Sequence, residues 1–177
     1  MKEYDFTLRF SLADSCADPD ECVELLGEAG CDDALIGIGK SGRLALDFSR
    51  EADSAIEAVL SAIRDVRRAL PEATLTEAAP DLVGITDAAE LVGCSRQNLR
   101  QLLLNCEFAT PAPVHESPKS SVWHLAQLLK WLRDVKRYAI EDRMLDLAEV
   151  NMQINITAEE HYADPRLSKE IRSIFAL

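Results

Sequence analysis

The side chains best suited to chemistry lie in one short segment of this 177-residue chain, from Ile85 to Asn105. Its second half reads "SRQNLRQ", in which polar residues recur at intervals that place them on the outer side of a helix. Arginine binds guanine bidentately, and glutamine binds adenine, in the major groove of double-stranded DNA. We therefore expect a recognition helix that contacts DNA through Ser95, Arg96, Gln97, Arg100 and Gln101.

Residues that could support catalysis are present but scattered. The three histidines have no neighbouring partner at the spacing of a metal site, and "CDD" at 31–33 follows a predicted helix end, where acidic residues are common. Asp142 and Asp146 are one helical turn apart and could serve a metal-dependent nuclease, but no basic cleft or second acidic pair is predicted beside them. We expect no catalytic residue, no metal site and no cofactor.

The residues around the polar helix have the spacing of a helix-turn-helix. Thr86 is placed to cap a first helix, and Gly93 is placed at the turn, where glycine adopts a positive φ at little cost. Ser95 is placed to cap the second helix, and the small Ala89 leaves room where the two helices cross. The predicted inward-facing residues are Ala88, Ala89, Leu91, Val92, Cys94, Leu99 and Leu102.

The following segment predicts a proline-broken strand, a turn around residues 117–121, a strand ending in Trp123, and a helix. Trp123 and Trp131 lie among leucines, so we expect them in the core rather than stacked on bases. His124 fits a surface position as well as it fits a phosphate contact.

Residues 84 to 133 together resemble the winged-helix DNA-binding domains of the MerR, excisionase and AlpA-like group, over about a third of the chain. The matching features are Phe108, Pro111 or Pro113, Trp123, and Trp131 with Leu132. The resemblance implies a winged helix-turn-helix that binds DNA. In that group the wing usually offers several basic residues to the phosphate backbone. The resemblance implies that this role falls here to one charged residue, Lys119, and to the neutral donors Ser120, Ser121 and His124. Few phosphate contacts imply a shallow salt dependence for one copy, so strong binding would require two copies or a partner. Two amphipathic helices around a glycine would also give the helix-turn-helix pattern without binding DNA.

The charge of the chain is unevenly distributed. The net charge is −12, which opposes binding to nucleic acid, but the total conceals a division. Residues 1 to 81 hold 18 acidic and 8 basic side chains (net −10), residues 82 to 138 hold 5 and 7 (net +2), and residues 139 to 177 hold 8 and 4 (net −4). The only positive segment contains the predicted recognition helix, and the acidic flanks would lower non-specific affinity for DNA.

The first 80 residues predict the order strand, helix, strand, strand, helix, strand. Residues 4–12 alternate apolar and polar side chains, as a half-buried strand does, and residues 54–70 have helical spacing before Pro71. This order resembles the ferredoxin-like split βαβ sandwich, in which both helices lie on one face of an antiparallel sheet. No motif accompanies it, so such a domain could sense a small ligand, pair with another copy or hold a protein partner. We place a domain boundary near Pro80, which separates residues 1–80 from a winged domain at 81–137.

Residues 126–136 predict a helix that residues 137–156 continue, and residues 138–177 as a whole are predicted to form C-terminal helices. Five residues have the spacing of a short coiled-coil seam that would form a homodimer: Ile140, Met144, Leu147, Asn151 and Ile154. A helix packed on its own domain explains the same spacing equally well. Thr157 and Glu160 fit a capping box. Asp164 and Pro165 predict the start of a last helix with four apolar residues that need a surface: Leu167, Ile171, Ile174 and Phe175.

The cysteines and the hydropathy indicate a cytoplasmic protein. Five cysteines, an odd number with no C-x-x-C pair, favour reduced thiols packed as small apolar side chains over a disulfide framework. The longest apolar runs are too short to cross a membrane.

From these patterns we expect an α+β protein, with a ferredoxin-like domain followed by a winged helix-turn-helix and C-terminal helices. The expected function is sequence-specific transcription regulation by a dimeric repressor. The alternative is a protein-interaction adaptor, such as an antitoxin or an assembly subunit, whose winged domain binds protein. Replacing Arg96 and Arg100 by alanine would distinguish the two.

Overall fold

The structure is a computed structural model and describes residues 1–12, 19–39, 42–105 and 110–175. Within these ranges the chain is a mixed α+β protein with seven α-helices and two antiparallel sheets, which confirms the predicted class. The strands are β1 (Lys2–Ser11), β2 (Ala34–Gly39), β3 (Arg43–Ala52), β4 (Thr74–Ala79), β5 (Leu82–Val83), β6 (His115–Glu116) and β7 (Ser121–His124). The helices are α1 (Pro19–Glu28), α2 (Ala55–Ala69), α3 (Ile85–Leu91), α4 (Arg96–Leu104), α5 (Leu125–Asp134), α6 (Asp142–Glu159) and α7 (Pro165–Phe175), with a 3-10 helix at Glu160–Tyr162.

The first sheet has the strand order β2, β3, β1, β4, and every neighbouring pair is antiparallel. Side chains along each strand alternate between the two faces of the sheet. On the buried face, Phe6 of β1 lies opposite Phe48 of β3. Their rings stack with centroids 5.2 Å apart. Leu26 of α1 and Val59 of α2 join the same buried cluster, so both helices cover one face of the sheet.

Helix α2 begins at a serine cap and ends before a proline. The Ser54 hydroxyl accepts a hydrogen bond from the backbone N–H of Glu57 at 3.3 Å, and Pro71 follows soon after the last turn. Ile56, on its outer side, is 54% exposed. Small and β-branched residues on its inner side let the helix approach the sheet closely: Ala55, Ala58, Val59, Ala62 and Val66.

A buried arginine joins β3 to α2 and to the loop before β2. The Arg50 guanidinium donates two hydrogen bonds to Asp33, at 2.6 and 2.9 Å, and one to Asp65 at 2.8 Å. It also donates to the Ser61 hydroxyl and the Gly30 carbonyl. Burial lowers the pKa of Arg50, but the hydrogen bonds and charges of the two aspartates outweigh burial and raise the pKa above its ordinary value. The loop is thereby held against α2 by a charged group with several partners.

The second sheet is small and has the strand order β5, β7, β6. Because β5 pairs with the end of β7, the two ends of the segment from 82 to 124 meet. Helices α3, α4 and α5 share one buried cluster beside this sheet. Its buried members are Val83, Ala88, Ala89, Leu99, Leu125, Ala126, Leu128, Leu129, Trp131, Leu132, Leu145 and Ala148.

Helix α6 packs on both clusters. Leu147 joins the core of the first sheet, whereas Leu145 and Ala148 join the core of α3, α4 and α5. The five predicted seam residues are buried or half-buried against these two cores within the chain: Ile140, Met144, Leu147, Asn151 and Ile154. The structure thus matches the alternative of a helix packed on its own chain, since a coiled coil through these residues would have to open both cores.

Two asparagines of α6 form hydrogen bonds with backbone groups of the segment that joins the two sheets. The Asn155 side chain accepts from the Ala78 N–H at 2.7 Å and donates to the Ala78 carbonyl at 2.8 Å. Asn151 is fully buried and donates to the Pro80 carbonyl at 3.2 Å. Buried backbone groups require such partners, so α6 is the element that closes the junction.

Three local predictions are wrong. Helix α3 starts one residue before Thr86 and has Gly84, in extended backbone, as its N-cap. The helix expected to continue from residue 137 is broken, because Arg137 has a left-handed φ of 59° and α6 begins later. The capping box is also absent, since Thr157 lies inside α6 and its hydroxyl donates to the Gln153 carbonyl.

The cysteines divide into two kinds. Cys31 and Cys94 are free thiols, as predicted. Cys22 is fully buried in α1 and disulfide-bonded, so the prediction of a reduced thiol is wrong there. Cys16, Cys106 and Phe108, which also entered the predictions, lie outside the described residues.

Candidate nucleic-acid interface

The turn between α3 and α4 depends on Gly93 and Ser95. Gly93 has a φ of +70°, as predicted, and an added Cβ would meet no atom within 4 Å, so backbone conformation alone requires glycine. The Ser95 hydroxyl accepts from the Asn98 N–H at 3.1 Å, which confirms the predicted cap. The Cys94 N–H donates to the Ala89 carbonyl at 2.9 Å. These bonds determine the direction in which α4 leaves the turn.

Helix α4 has one inner and one outer side. Leu99 is fully buried, which turns the residues on the opposite side toward solvent. Residues four apart are neighbours on a helix, so Arg96 and Arg100 lie side by side. The Asn98 side chain donates to the Tyr138 hydroxyl at 3.2 Å and attaches the helix to the segment before α6. The predicted recognition residues are all exposed: Ser95, Arg96, Gln97, Arg100 and Gln101.

The turn between β6 and β7 is held by two serines. The Ser117 N–H donates to the Ser120 carbonyl at 2.8 Å, and the Ser120 N–H donates to the Ser117 hydroxyl at 3.1 Å. The Val114 N–H donates to the Val122 carbonyl at 2.7 Å and extends the pairing of the two strands. Lys119, between the two serines, is exposed. The turn therefore presents one ammonium group on an ordered support.

Helix α4 and this turn form two walls of one cleft with a volume of about 550 Å³. Arg96 and Arg100 line one wall, and residues 119–121 line the other. Among the described residues that line it, one is acidic, Glu116, and three are basic. Five of the nine predicted contact residues line the cleft: Arg96, Arg100, Lys119, Ser120 and Ser121. The other four do not line it: Ser95, Gln97, Gln101 and His124.

The segment before β6 supplies a further wall that residue spacing did not predict. Thr110, Pro111 and Pro113 line the cleft. The indole N–H of Trp123 donates to the Pro111 carbonyl at 3.1 Å, and Trp123 itself is only 9% exposed. Trp123 is therefore a core residue, as predicted, that also holds this segment in place. The run "TPAP" was the available signal, because proline lacks a backbone N–H and keeps the chain out of a regular strand.

His124 lies away from the cleft, in a polar junction. Its Nδ1 is 2.7 Å from a carboxylate oxygen of Asp81, whose side chain is fully buried. The other oxygen of Asp81 accepts from the Asn155 amide at 2.8 Å. His124 therefore connects β7 to α6 through Asp81 and does not line the cleft, in contrast to the expected phosphate contact or open surface position.

Two other residues near the cleft have structural roles. Burial raises the pKa of the Cys94 thiol, against a smaller opposite effect of a backbone hydrogen bond with Leu99, so the thiol stays protonated at neutral pH and packs as an apolar group. Trp131 is 7% exposed and belongs to the core, as predicted, with the Lys136 ammonium 5.5 Å from the centre of its ring.

The cleft offers positive charge and hydrogen-bond donors. In the parts of the chain that the structure describes, no group of three or more His, Cys, Asp or Glu side chains could hold a metal ion. None of the described helices is long and apolar enough to cross a membrane. Guanidinium groups bind phosphates and base edges bidentately, and hydroxyl groups donate to phosphate oxygens, so the lining residues can bind a polyanion.

Comparisons of the chain with models of protein families, with curated proteins and with solved structures found no match.

Proposed function

We propose that this protein is a sequence-specific DNA-binding transcription regulator that acts as a dimer and represses by occupying its promoter site. The observation that carries the proposal is the cleft, in which two neighbouring arginines on α4 face a serine-rich turn with Lys119. The guanidinium group of arginine can donate two hydrogen bonds to guanine in the major groove, whereas lysine and serine donate to phosphate oxygens. In this proposal α4 reads bases and the β6–β7 turn positions it on the backbone of the duplex.

The proposal includes a winged helix-turn-helix fold for the second half of the molecule. The positive φ of Gly93 and the cap at Ser95 support a helix-turn-helix made of α3 and α4. The antiparallel pair β6 and β7 would be the wing, and α5 would support it. The element order β1-α1-β2-β3-α2-β4, with the sheet order β2, β3, β1, β4, supports a ferredoxin-like first domain that senses a ligand or contacts a partner protein.

Charge supports a requirement for two copies. The described part of the cleft has three basic residues and one acidic residue, while the whole chain has a net charge of −12. Non-specific affinity for DNA depends on the number of neutralised phosphates, so one copy of this cleft would bind weakly. Two copies double the phosphate and base contacts, and a dimer with twofold symmetry reads a palindromic site.

A second candidate, the protein-interaction adaptor, is favoured by one observation. Leu104 lines the cleft and is 71% exposed, and Val114 nearby is 55% exposed. An exposed apolar side chain in a basic cleft suits an acidic protein segment with an apolar anchor. The same leucine also suits a thymine methyl group, so the apolar contact by itself does not displace the DNA-binding proposal.

The experiment is selection of bound sequences from a random pool of DNA duplexes by the full chain, at low and at physiological salt. The test variant is the double substitution Arg96→Ala and Arg100→Ala. A matched control, Arg64→Ala with Arg67→Ala, removes the same charge from exposed positions of α2 outside the cleft. Each lost base contact should cost about 1 to 3 kcal/mol. We expect the wild type and the control to select the same motif and the test variant to select none.

Two results would contradict the proposal. One is the absence of an enriched motif at either salt concentration from protein shown to be folded by circular dichroism. The other is selection of the wild-type motif by the cleft variant, which would remove α4 from the interface. Either result, combined with capture of a partner protein that the cleft variant does not bind, would favour the adaptor.

A further inference from the structure

Helix α7 has an apolar side that the described residues leave uncovered. Leu167, Ile171 and Ile174 recur at intervals of four and three, so they form one stripe, and they are 57%, 48% and 76% exposed. Phe175, at the end of the helix, is 67% exposed. A helix of 11 residues is marginal in water without tertiary packing. An uncovered stripe on such a helix therefore indicates a contact surface for another element.

The opposite side of α7 faces its own chain. The Asp164 carboxylate accepts from the Arg166 N–H at 2.7 Å, which confirms the predicted start of the helix. Lys169 and Arg172 border a shallow depression with Glu160, and a guanidinium nitrogen of Arg172 is 3.6 Å from a Glu160 carboxylate oxygen. With this side toward the 3-10 helix, the apolar stripe points away from the protomer that carries it.

A matching apolar groove lies between α2 and α6. Its volume is about 730 Å³ and it is open to solvent. Two of its thirteen lining residues are acidic, Asp146 and Glu149, and none of them is basic. Its larger apolar lining residues are Ile56, Leu60, Ile63, Leu75, Val150 and Ile154.

Charge makes the helix and the groove complementary. Helix α7 holds three basic residues, Arg166, Lys169 and Arg172, and one acidic residue, Glu170, so it has a net charge of +2 in a chain whose net charge is −12. An apolar, basic helix fits an apolar groove that acidic residues and no basic residues line, as in other helix-in-groove complexes. Asp146 is the exposed acidic residue of this groove, whereas Glu149 also forms an ion pair with Lys130 of its own chain.

We propose that α7 of one copy docks in the α2–α6 groove of a second copy, and that the second copy returns the same contact. Each protomer supplies one helix and one groove, so two reciprocal contacts form a closed dimer with twofold symmetry. In this dimer both α7 helices and both grooves are covered. The contact lies outside the cleft of α4 and does not depend on what that cleft binds. It supplies the interface for the dimer of the proposed regulator, but its test measures mass rather than DNA binding, so the two proposals can fail separately.

The test measures the molar mass of the full chain by size-exclusion chromatography with light scattering, over a range of concentrations. Ile171→Glu places a negative charge on the stripe of α7, and Ile56→Arg places a positive charge in the groove. Both positions are exposed in one protomer, at 48% and 54%, so neither substitution disturbs a core. Leu35→Arg, at an apolar position of β2 that is 75% exposed, is the matched control.

We expect the wild type and the Leu35 variant to have twice the chain mass of 19.6 kDa. Each of the other two variants should dissociate at concentrations about tenfold to a hundredfold higher, because each loses a buried isoleucine contact twice in the dimer. A mixture of Ile171→Glu with Ile56→Arg should recover dimer, since the intact α7 of the second variant fits the intact groove of the first.

Three results would overturn the inference. The first is a wild type that has the mass of a monomer at every concentration. If Ile171→Glu also lowers the stability of that monomer, α7 docks in the groove of its own chain instead. An Ile56→Arg variant that remains as dimeric as the wild type would indicate that α7 pairs with α7. Loss of the dimer in the Leu35 variant would place the interface at the edge strand β2.

Discussion

Replacing Arg50 by methionine should destabilise the first sheet strongly. The side chain is 9% exposed, and its guanidinium donates five hydrogen bonds, three of them to the carboxylates of Asp33 and Asp65. Methionine keeps much of the apolar stem that contacts the sheet but has neither the charge nor the donors. The substitution therefore removes the positive charge that the carboxylates of Asp33 and Asp65 share, while Asp65 keeps an ion pair with Arg68 at 3.4 Å.

The magnitude follows from the burial of the partners. Removing one member of a fully buried ion pair typically costs about 3–5 kcal/mol, because the other charge remains without compensation. The Asp33 and Asp65 side chains are 28% and 18% exposed, so water recovers part of this cost. We expect a loss of about 3 kcal/mol for Arg50→Met, at the lower end of that range. Arg50→Lys retains the charge without the planar fork and should lose less.

The assay is urea unfolding of the full chain followed by far-ultraviolet circular dichroism and by tryptophan fluorescence. At about 1–3 kcal/mol per molar urea, a loss of about 3 kcal/mol lowers the midpoint by about 1 M or more. Both tryptophans, Trp123 and Trp131, lie outside the first sheet and its core. A joint shift of both signals would therefore also show that α6 couples the two cores during unfolding.

Removing the two carboxylates as well should restore part of the lost stability. The triple variant Arg50→Met, Asp33→Asn, Asp65→Asn has no uncompensated charge at this position and should be more stable than Arg50→Met. The account would be refuted by a loss below about 1 kcal/mol for Arg50→Met, or by a triple variant no more stable than the single one.

Three further predictions concern single residues. Burial raises the pKa of the Cys31 thiol to about 11 from its ordinary 9.0, so stability that is present below pH 9.0 is lost as the pH rises through about 11. Urea unfolding at a series of pH values should show that the wild type loses at most about 2–3 kcal/mol of unfolding free energy between pH 9 and 11, whereas Cys31→Ala does not. The same dependence of unfolding free energy on pH in both proteins would contradict this. Gly93→Ala should cost about 1–2 kcal/mol because alanine is strained at positive φ, with Gly93→Asn costing less, and equal urea midpoints would refute the assignment. Asn155→Ala removes the hydrogen-bond partner of both Ala78 backbone groups and one donor to Asp81. It should lower the free energy of unfolding by about 2–3 kcal/mol, measured by urea unfolding. A loss below about 0.5 kcal/mol would show that water replaces the lost hydrogen bonds.

Local chemistry explains which elements could be predicted. Alternation in β1 and β3 and helical spacing in α2 depend only on neighbours along the chain, so the order of elements in residues 1–80 was predicted correctly. The same holds for Gly93 and the Ser95 cap, because positive φ and capping are properties of a few adjacent residues. The start of α6 was missed because Arg137 adopts a left-handed conformation that its residue type does not favour.

The cleft shows the limit for the candidate site. Exposure of Arg96 and Arg100 follows from the position of Leu99 on one helix, which the sequence contains. Their approach to Lys119 depends on how α4 and the β6–β7 turn, which are separate in the chain, pack beside each other. The bond from Trp123 to the Pro111 carbonyl holds a further wall of the same cleft. Residue spacing carries no information on such distances, and for the same reason it did not place His124 beside Asp81.

Helix α6 gives the plainest example of what depends on tertiary packing. Its apolar spacing establishes that one face of the helix is covered. Hydrophobic burial has no direction, so the spacing fits a second subunit as well as it fits the chain's own cores. In the folded chain Leu147 lies in one core, Leu145 in the other, and Asn151 meets the carbonyl of Pro80. The stripe on α7 has the same kind of pattern, yet one protomer leaves it exposed. A sequence specifies which faces avoid water, whereas the packing of the whole chain determines which of them are already covered.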